Sequence, residues 1–310
     1  MTALSAVAAY VPEGRLPVED VAGPLGLTRM QVKVFRRYHR LGEVARDPDG
    51  TLEDLLRGAL ARLLPALRGR ERDVRYVLHA RTFPTVAPYP YDPVRAVCAE
   101  YGLGHAAVFS VGHHACASGL LAVDAAGRLL AADGDPDGLA LVLSGEKAFT
   151  PEAQLVPATS FFGEGAAACL VSAAGPRDRV LGYAVEQRGE FDGDAPELAA
   201  EFQRVYADAL AAAITAALTG AGLTAEDVTL FLPHNVNRVA WHQVCRILGV
   251  PRERVLLDNV ADTGHVFCAD AFVNYRTALD RGLLRPGEPY VMAAAGAGLG
   301  AAFSAMVLVH

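Results

Sequence analysis

Charge is scarce in this chain. Asp, Glu, Lys and Arg make up 20% of its 310 residues, against 52% hydrophobic residues. Soluble domains usually carry about a quarter charged residues, so a large buried core and a subunit interface are expected. Basic residues are the minority, 28 against 35 acidic, for a net charge of -7. They form no basic stripe, which argues against nucleic acid as a partner. A coenzyme phosphate would have to find local Arg or Lys, because the global field does not attract it. There is no run of about 18 uncharged apolar residues, so no transmembrane helix and no membrane partner are expected. The opening MTALSAVAAYVPEGR lacks the basic stretch of a signal peptide and reads as a strand, which points to the cytoplasm. The five cysteines, 98, 116, 169, 245 and 268, include no CxxC pair. Scattered thiols fit a reduced compartment better than a disulfide framework or a zinc site.

What is present is an ordered alternation of strands and helices. Ser5 to Val11 reads as a strand stopped by Pro12. Residues 18–50 are charged and read as irregular. Thr51 opens a helix, with Asp54 three positions on as an approximate capping box. Leu52, Leu55, Leu56, Leu60, Leu63, Leu64 and Leu67 make its apolar stripe. Then come a strand at Val74–His79, a Pro-rich loop, a helix from about Asp92 to Tyr101, and a stop at Gly102. A short strand at Ala107–Val111 leads into GHHACASG, a helix, and the buried strand Leu139–Ser144.

The second half runs in the same order. A strand at Val228–Leu232 ends at Pro233-His234, and a helix runs from about Asn237 to Leu248 before Gly249. A short strand at Val255–Leu257 leads into TGHVFCAD, a helix to about Arg281, and the strand Tyr290–Ala294. Alternating strands and helices imply an α/β fold with a mostly parallel sheet. The repetition implies two related halves, residues 1–174 and 175–310, with the chemistry at strand ends where they meet. Aligned this way, Cys116 of the first half corresponds to His265 of the second.

Cys116 lies between a strand and a helix N-terminus, among the small residues Ala115, Ala117, Ser118 and Gly119. A helix N-terminus favours a thiolate, and small neighbours let a substrate approach. The other four cysteines sit on apolar faces and read as core. His234 follows a buried strand directly, and His265 occupies a similar corner after Gly264. Gly296, Gly298 and Gly300 follow a strand but precede another strand, so a dinucleotide loop is not expected. They read instead as a turn with N–H groups facing the site. His113 and His114 lack further ligands at metal-binding spacing and read as packing or pocket lining. Asp124 and Glu164 read as ordinary turn or surface charges. The loop Arg81–Asp92 reads as tunnel or interface lining.

Several of these segments together resemble the β-ketoacyl-ACP synthase III family: CASG at Cys116, FFGEGAAACLV at 161–171, HNVN at 234–237, LRPGEPYVMAAAGAGLG, and the opening strand with FRRYHR. The likeness extends through nearly the whole chain. It implies a thiolase fold of five αβαβα layers, a homodimer, and a tunnel for a pantetheine arm. It implies no resident cofactor, with acyl-CoA or acyl carrier protein supplying a thioester substrate. Cys116 would take the acyl group, and the family's catalytic His falls on His234. The family's catalytic Asn falls on His265, so this chain reads Cys-His-His where the family reads Cys-His-Asn. The oxyanion hole would be the N–H groups of Cys116 and Gly298. Arg36, Arg37, Arg238 and Asn237 are assigned to the substrate.

The implied reaction is decarboxylative condensation with a malonyl thioester, in fatty-acid, polyketide or other secondary metabolism. Both imidazoles, neutral, would donate Nε2–H bonds to the malonyl oxygen. The second imidazole also admits acyl transfer to a hydroxyl or amine. A non-catalytic acyl-binding partner subunit is the third reading. No cysteine occupies the C-terminal Gly turn, where degradative thiolases carry their base.

Overall fold

A computed structural model of the chain describes residues 2–84, 87–193, 196–298 and 301–310. Its main strands are β1 (Ala3–Tyr10), β2 (Val74–Ala80), β3 (Ala107–Val111), β4 (Leu139–Glu146), β5 (Gly165–Ser172), β6 (Arg179–Gln187), β7 (Leu230–Pro233), β8 (Pro289–Gly296) and β9 (Ala302–Val309). Its main helices are α1 (Leu52–Leu67), α2 (Pro93–Glu100), α3 (Ser118–Asp133), α4 (Pro196–Gly220), α5 (Arg238–Leu248) and α6 (Asp270–Asp280). The Thr51 cap forms as the sequence predicts: its hydroxyl accepts the Asp54 N–H, and the Asp54 carboxylate accepts the Thr51 N–H at 2.9 Å.

The nine strands form one hydrogen-bonded ladder in the order β7-β8-β9-β6-β1-β5-β4-β2-β3. It is thin at its middle, where β1 and β6 pair only at Ala3 and Arg179. Alternation along each strand sorts its side chains between two faces. In β4, Leu139, Leu141 and Leu143 join one cluster with α1 and α2, while Ala140 and Val142 join the central one. In β8, Val291, Ala293 and Ala295 pack with α4 and α5, while Tyr290, Met292 and Ala294 join that same central cluster. The central cluster includes Leu120 and Val123 of α3 and Phe272 and Tyr275 of α6. The result is the expected five layers, with α3 and α6 buried between two sheet halves. Burying each large apolar side chain there contributes about 1.5–3 kcal/mol. Residues 115–133 are long and apolar enough to span a bilayer, but here they form that central helix.

The two halves repeat their pairings. In the first, β1–β5 and β5–β4 are antiparallel, and β4–β2 and β2–β3 are parallel. In the second, β6–β9 and β9–β8 are antiparallel and β8–β7 is parallel, followed by one parallel bridge from Phe231 to Val255. The expected strand at Val255–Leu257 shrinks to that bridge. The sheet is therefore mixed rather than mostly parallel. No long helix separates β4 from β5 or β8 from β9, so each of these connections returns the chain antiparallel.

The repeat also corrects the alignment of the reactive residues. Ala115–Ala117 and Phe267–Ala269 are single 3₁₀ turns leading into α3 and α6. Both open on a left-handed residue, Ala115 at φ 43° and Phe267 at φ 55°. In that register GHHACAS matches GHVFCAD. Cys268, not His265, is the counterpart of Cys116, and His265 matches His113.

Residues 18–50 are not irregular. They hold the short helices Val18–Ala22 and Arg29–Val34, and the strand Glu43–Ala45, which pairs antiparallel with Arg15–Pro17. Each piece is too short for periodicity to reveal. Thr28 and Gln31 cap the second helix reciprocally, and Phe35 packs edge-on against Phe161 at 4.6 Å.

Candidate active site

Three chain segments converge beside Cys116. The first is the turn that carries it. The last residue of β8, Gly296, lies so close that a Cβ there would sit 2.3 Å from the His114 carbonyl oxygen and 2.9 Å from the Cys116 nitrogen. Those atoms are backbone and cannot swing aside. Gly296→Ala is accordingly expected to displace the nucleophile's turn, destabilise the fold by about 1–3 kcal/mol, and slow acyl loading. Thermal unfolding together with intact-mass loading rates checks this.

The second segment is Phe161–Gly163 of FFGEGA, which pairs with the backbone of His265. The His265 N–H donates to the Phe161 carbonyl and the Gly163 N–H to the His265 carbonyl, both at 2.9 Å. Gly163 is required there, because a Cβ would fall 1.9 Å from the Thr263 oxygen. The adjacent Glu164 is not a surface charge. It is buried, accepts the Lys147 ammonium at 2.6 Å and the Ala148 N–H at 3.2 Å, and lies 3.5 Å from Arg46. Arg46 in turn donates to the Phe162 carbonyl at 3.1 Å, so this buried ionic cluster fixes the Phe162 backbone. Phe162 then stacks on Phe267 at 4.3 Å and on the His265 ring at 4.8 Å.

The third segment is the corner from His265 to Asp270 that leads into α6. His265 Nε2 lies 3.1 Å from Cys116 Sγ. Its Nδ1 is hydrogen-bonded to Asp270, whose carboxylate also accepts the Val266 N–H at 2.7 Å and the Asn235 N–H at 2.5 Å. Burial pushes the His265 pKa down, but the Asp270 carboxylate and the Cys116 sulfur outweigh it and raise it to about 10. His234 is treated oppositely. Burial, assisted by the neighbouring His265, lowers it to about 3. The two rings sit 5.7 Å apart, edge to face. One imidazole is thus charged and one neutral at pH 7, where the sequence reading expected two neutral rings. His234 Nε2 is 2.7 Å from the Tyr206 hydroxyl.

Thr82 completes the sulfur's surroundings, with its hydroxyl donating to Cys116 Sγ at 3.3 Å. Its position is set by Glu146, a buried carboxylate that accepts the Thr82 and Phe83 N–H groups, each at 2.7 Å. Burial is the main reason that Glu146 titrates near 7.

Cys116, His234 and His265 all line one cavity of about 430 Å³, walled largely by Phe162, Phe191, Phe202 and Tyr206. Gly298 lines it too, at φ 88°, but Gly296 is the glycine pressed against the Cys116 amide. Leu299 and Gly300 of the GAGLG turn lie outside the described residues, as do Thr85 and Val86 of the Arg81–Asp92 loop. Asn237 lines the cavity and also caps α5, accepting the Ala240 N–H at 2.9 Å. Arg36 and Arg37 do not line this cavity; they border a separate surface depression, where Arg36 pairs with Glu19. Arg238 points along α5 to His242 at 3.2 Å. His114 meets Gln187 at 2.8 Å. The other four cysteines are buried; Cys268 lies nearest the site, donating to the Ala115 carbonyl at 3.3 Å.

Tyr206, Asp270, Thr82 and Glu146 were not singled out from sequence. Only Asp270 leaves a readable signal, the match of GHHACAS with GHVFCAD.

Comparison with known proteins finds relatives of the chain. Residues 218–308 match the family described as 3-oxoacyl-[acyl-carrier-protein (ACP)] synthase III C terminal. A β-ketoacyl-[acyl-carrier-protein] synthase III of Rhodobacter capsulatus is 40% identical over 90 residues, a match spanning 29% of this chain and 28% of the relative's length. One from Nitratidesulfovibrio vulgaris is 28% identical over 289 residues, covering 85% of this chain and 84% of that one. Among solved structures, a 3-oxoacyl-[acyl-carrier-protein] synthase III from Aquifex aeolicus superposes with a TM-score of 0.85 at 19% identity, over the full length of both chains.

Proposed function

We propose that the chain acts as the β-ketoacyl-ACP synthase III proteins that it resembles in sequence and fold do, condensing an acyl group held on Cys116 with a malonyl thioester. The observation that carries this reading is the Asp270–His265–Cys116 chain, opening onto a largely apolar cavity that neutral His234 shares.

In the first half-reaction the Cys116 sulfur attacks the thioester carbonyl of an acyl-CoA or acyl carrier protein. A Cys116 S–acyl bond forms, and the carrier's thiolate leaves with a proton that His265 Nε2 is placed to deliver. The Cys116 N–H and the turn at 297–298 would hold the oxyanion, each donor contributing about 3–4 kcal/mol. In the second half-reaction the malonyl unit loses carbon dioxide. Its enolate carbon bonds to the acyl carbonyl, the sulfur departs as thiolate, and His265, which gave up its proton in the first half-reaction, takes one from solvent to restore the imidazolium beside it. The charged ring thus serves the sulfur, and the neutral pair His234–Tyr206 serves the enolate.

A homodimer is part of the proposal. The outer strand β3 has one described partner, β2, and leaves Phe109 exposed at the sheet edge. An unpartnered strand edge with an exposed aromatic suits pairing with a second copy. Arg36, Arg37 and Arg238 remain proposed contacts for the carrier's phosphate, and a cytoplasmic setting suits the free thiols.

Acyl-CoA followed by malonyl-CoA or malonyl carrier protein tests the reaction. Carbon dioxide with a chain-extended ketone supports it, and acyl loading followed only by transfer to an alcohol or amine overturns it. The pH dependence is a second check. Neither imidazole titrates between about 3 and 10, so neither gives loading a limb near 6.5. Glu146, at about 7, is the buried group that ionises there. Its ionised form accepts both loop N–H groups, so loading is expected to rise through pH 7. The rise is about fivefold, the worth of one ordinary hydrogen bond, and Glu146→Gln removes it.

A further inference from the structure

We propose that Cys268 is a redox-modification site: under peroxide it closes a reversible disulfide with Cys116 and so switches the nucleophile off. The proposal rests on Cys116 being the nucleophile of the function proposed above, but not on where its acyl group goes next.

The two thiols share one hydroxyl. Thr82 Oγ1 lies 3.3 Å from Cys116 Sγ and 3.6 Å from Cys268 Sγ, so both sulfurs flank the same oxygen. The turns that carry them are counterparts in the two halves, and they pack together. Cys268 Sγ donates to the carbonyl of Ala115, the residue before Cys116, at 3.3 Å. A Cβ on Gly119, at the start of α3, would fall 2.7 Å from the Cys268 carbonyl oxygen. Closing the bond asks the two side chains to rotate towards each other past the Thr82 hydroxyl, while the turns stay in contact.

Their surroundings divide the labour. Cys116 lines the cavity, where a molecule as small as hydrogen peroxide can reach it, and its sulfur lies 3.1 Å from the charged His265 ring. A cation beside a sulfur favours the thiolate, the form that peroxide oxidises. Cys268 is buried and does not line that cavity. Burial holds its thiol well above the ordinary pKa, so it is a poor target for peroxide itself. It reacts instead with a sulfur brought against it. Well-oriented intramolecular partners reach effective concentrations of about 10⁵ M and above, which offsets a small thiolate fraction.

The Cys116 thiolate attacks one peroxide oxygen. The O–O bond breaks and hydroxide leaves, giving a sulfenic acid. The Cys268 sulfur then attacks the Cys116 sulfur. The S–S bond forms, the S–O bond breaks, and the departing hydroxide takes the Cys268 proton as water. Two electrons have passed from the thiols to peroxide. A dithiol reverses the step by exchange. Without Cys268 the sulfenic acid goes on to sulfinic acid, which dithiols do not reduce.

The test exposes wild-type protein to a molar excess of hydrogen peroxide, alkylates the remaining thiols and digests without reductant. Tandem mass spectrometry is expected to find peptides cross-linked through Cys116 and Cys268. Acyl loading should fall by about tenfold or more and return to within about twofold of its starting rate after dithiothreitol. In Cys268→Ala and Cys268→Ser, each compared with its own untreated rate, the same exposure should leave sulfinic acid on Cys116 and a loss that dithiothreitol does not reverse. Wild-type protein in which Cys116 stays reduced, gains oxygen without cross-linking, or cross-links to another cysteine overturns the proposal. Variants that recover as fully as wild type also overturn it. Reduced wild-type protein that takes no acyl group overturns the nucleophile assignment instead, and the cross-link is still read from the same digest.

Discussion

Cys116→Ala is expected to abolish acyl loading while malonyl decarboxylation persists. The variant removes the one thiol that faces both the cavity and His265 Nε2. Loss of a covalent nucleophile costs on the order of 10⁴-fold or more in turnover. Cys268 offers no substitute. Its sulfur donates to the Ala115 carbonyl, and burial holds its thiol well above the ordinary pKa, which disfavours the reactive thiolate. Decarboxylation needs only the groups that face the enolate, and the His234–Tyr206 pair is untouched. Intact-mass spectrometry reads the loading, and carbon dioxide release reads the rest. Loading that survives in this variant refutes the nucleophile assignment.

Asp270→Asn has the second largest expected effect, on both chemistry and stability. The carboxylate accepts from His265, Val266 and Asn235. An asparagine carbonyl satisfies part of that set and turns an NH₂ group towards the remaining donors. Removing one partner of a buried ion pair costs about 3–5 kcal/mol. With the strongest raising influence gone, burial drives the His265 pKa down. Loading should fall by about 10²–10⁴-fold, the range of general acid–base work. The pH dependence carries a definite sign. His265 is raised from about 6.5 unfolded to about 10 folded. Its contribution to stability is therefore complete below pH 6.5 and lost as pH climbs through 10. Denaturant unfolding at pH 6 and pH 9 should show that loss in the wild type and little of it in the variant. Equal slopes in both contradict the pair.

Most of the architecture was legible because it rests on short-range rules. The Thr51–Asp54 cap, the leucine stripe behind it and the strand at 107–111 appear where periodicity and capping chemistry put them. Cys116 could be read because a strand-to-helix corner of small residues has few other uses. The antiparallel returns were not legible, because a fully buried run such as 165–172 looks the same whichever way its partner runs. Glu164 was misread for a similar reason: nothing local announces Lys147, 17 residues away, as the partner that permits its burial. Tyr206 reads as one more apolar position in an alanine-rich helix, 28 residues from the histidine it touches. His265 was found, but its charge was not, since that depends on Asp270 and on a register that pairs two Gly-His corners.

The central claim is that one sulfur carries the acyl chain. Wild-type protein exposed to acyl-CoA, then proteolysed and sequenced by tandem mass spectrometry, tests this most directly. The account predicts a single acyl adduct, located on Cys116. An adduct on Cys268 or any other residue, or none across a range of acyl chain lengths, would contradict it.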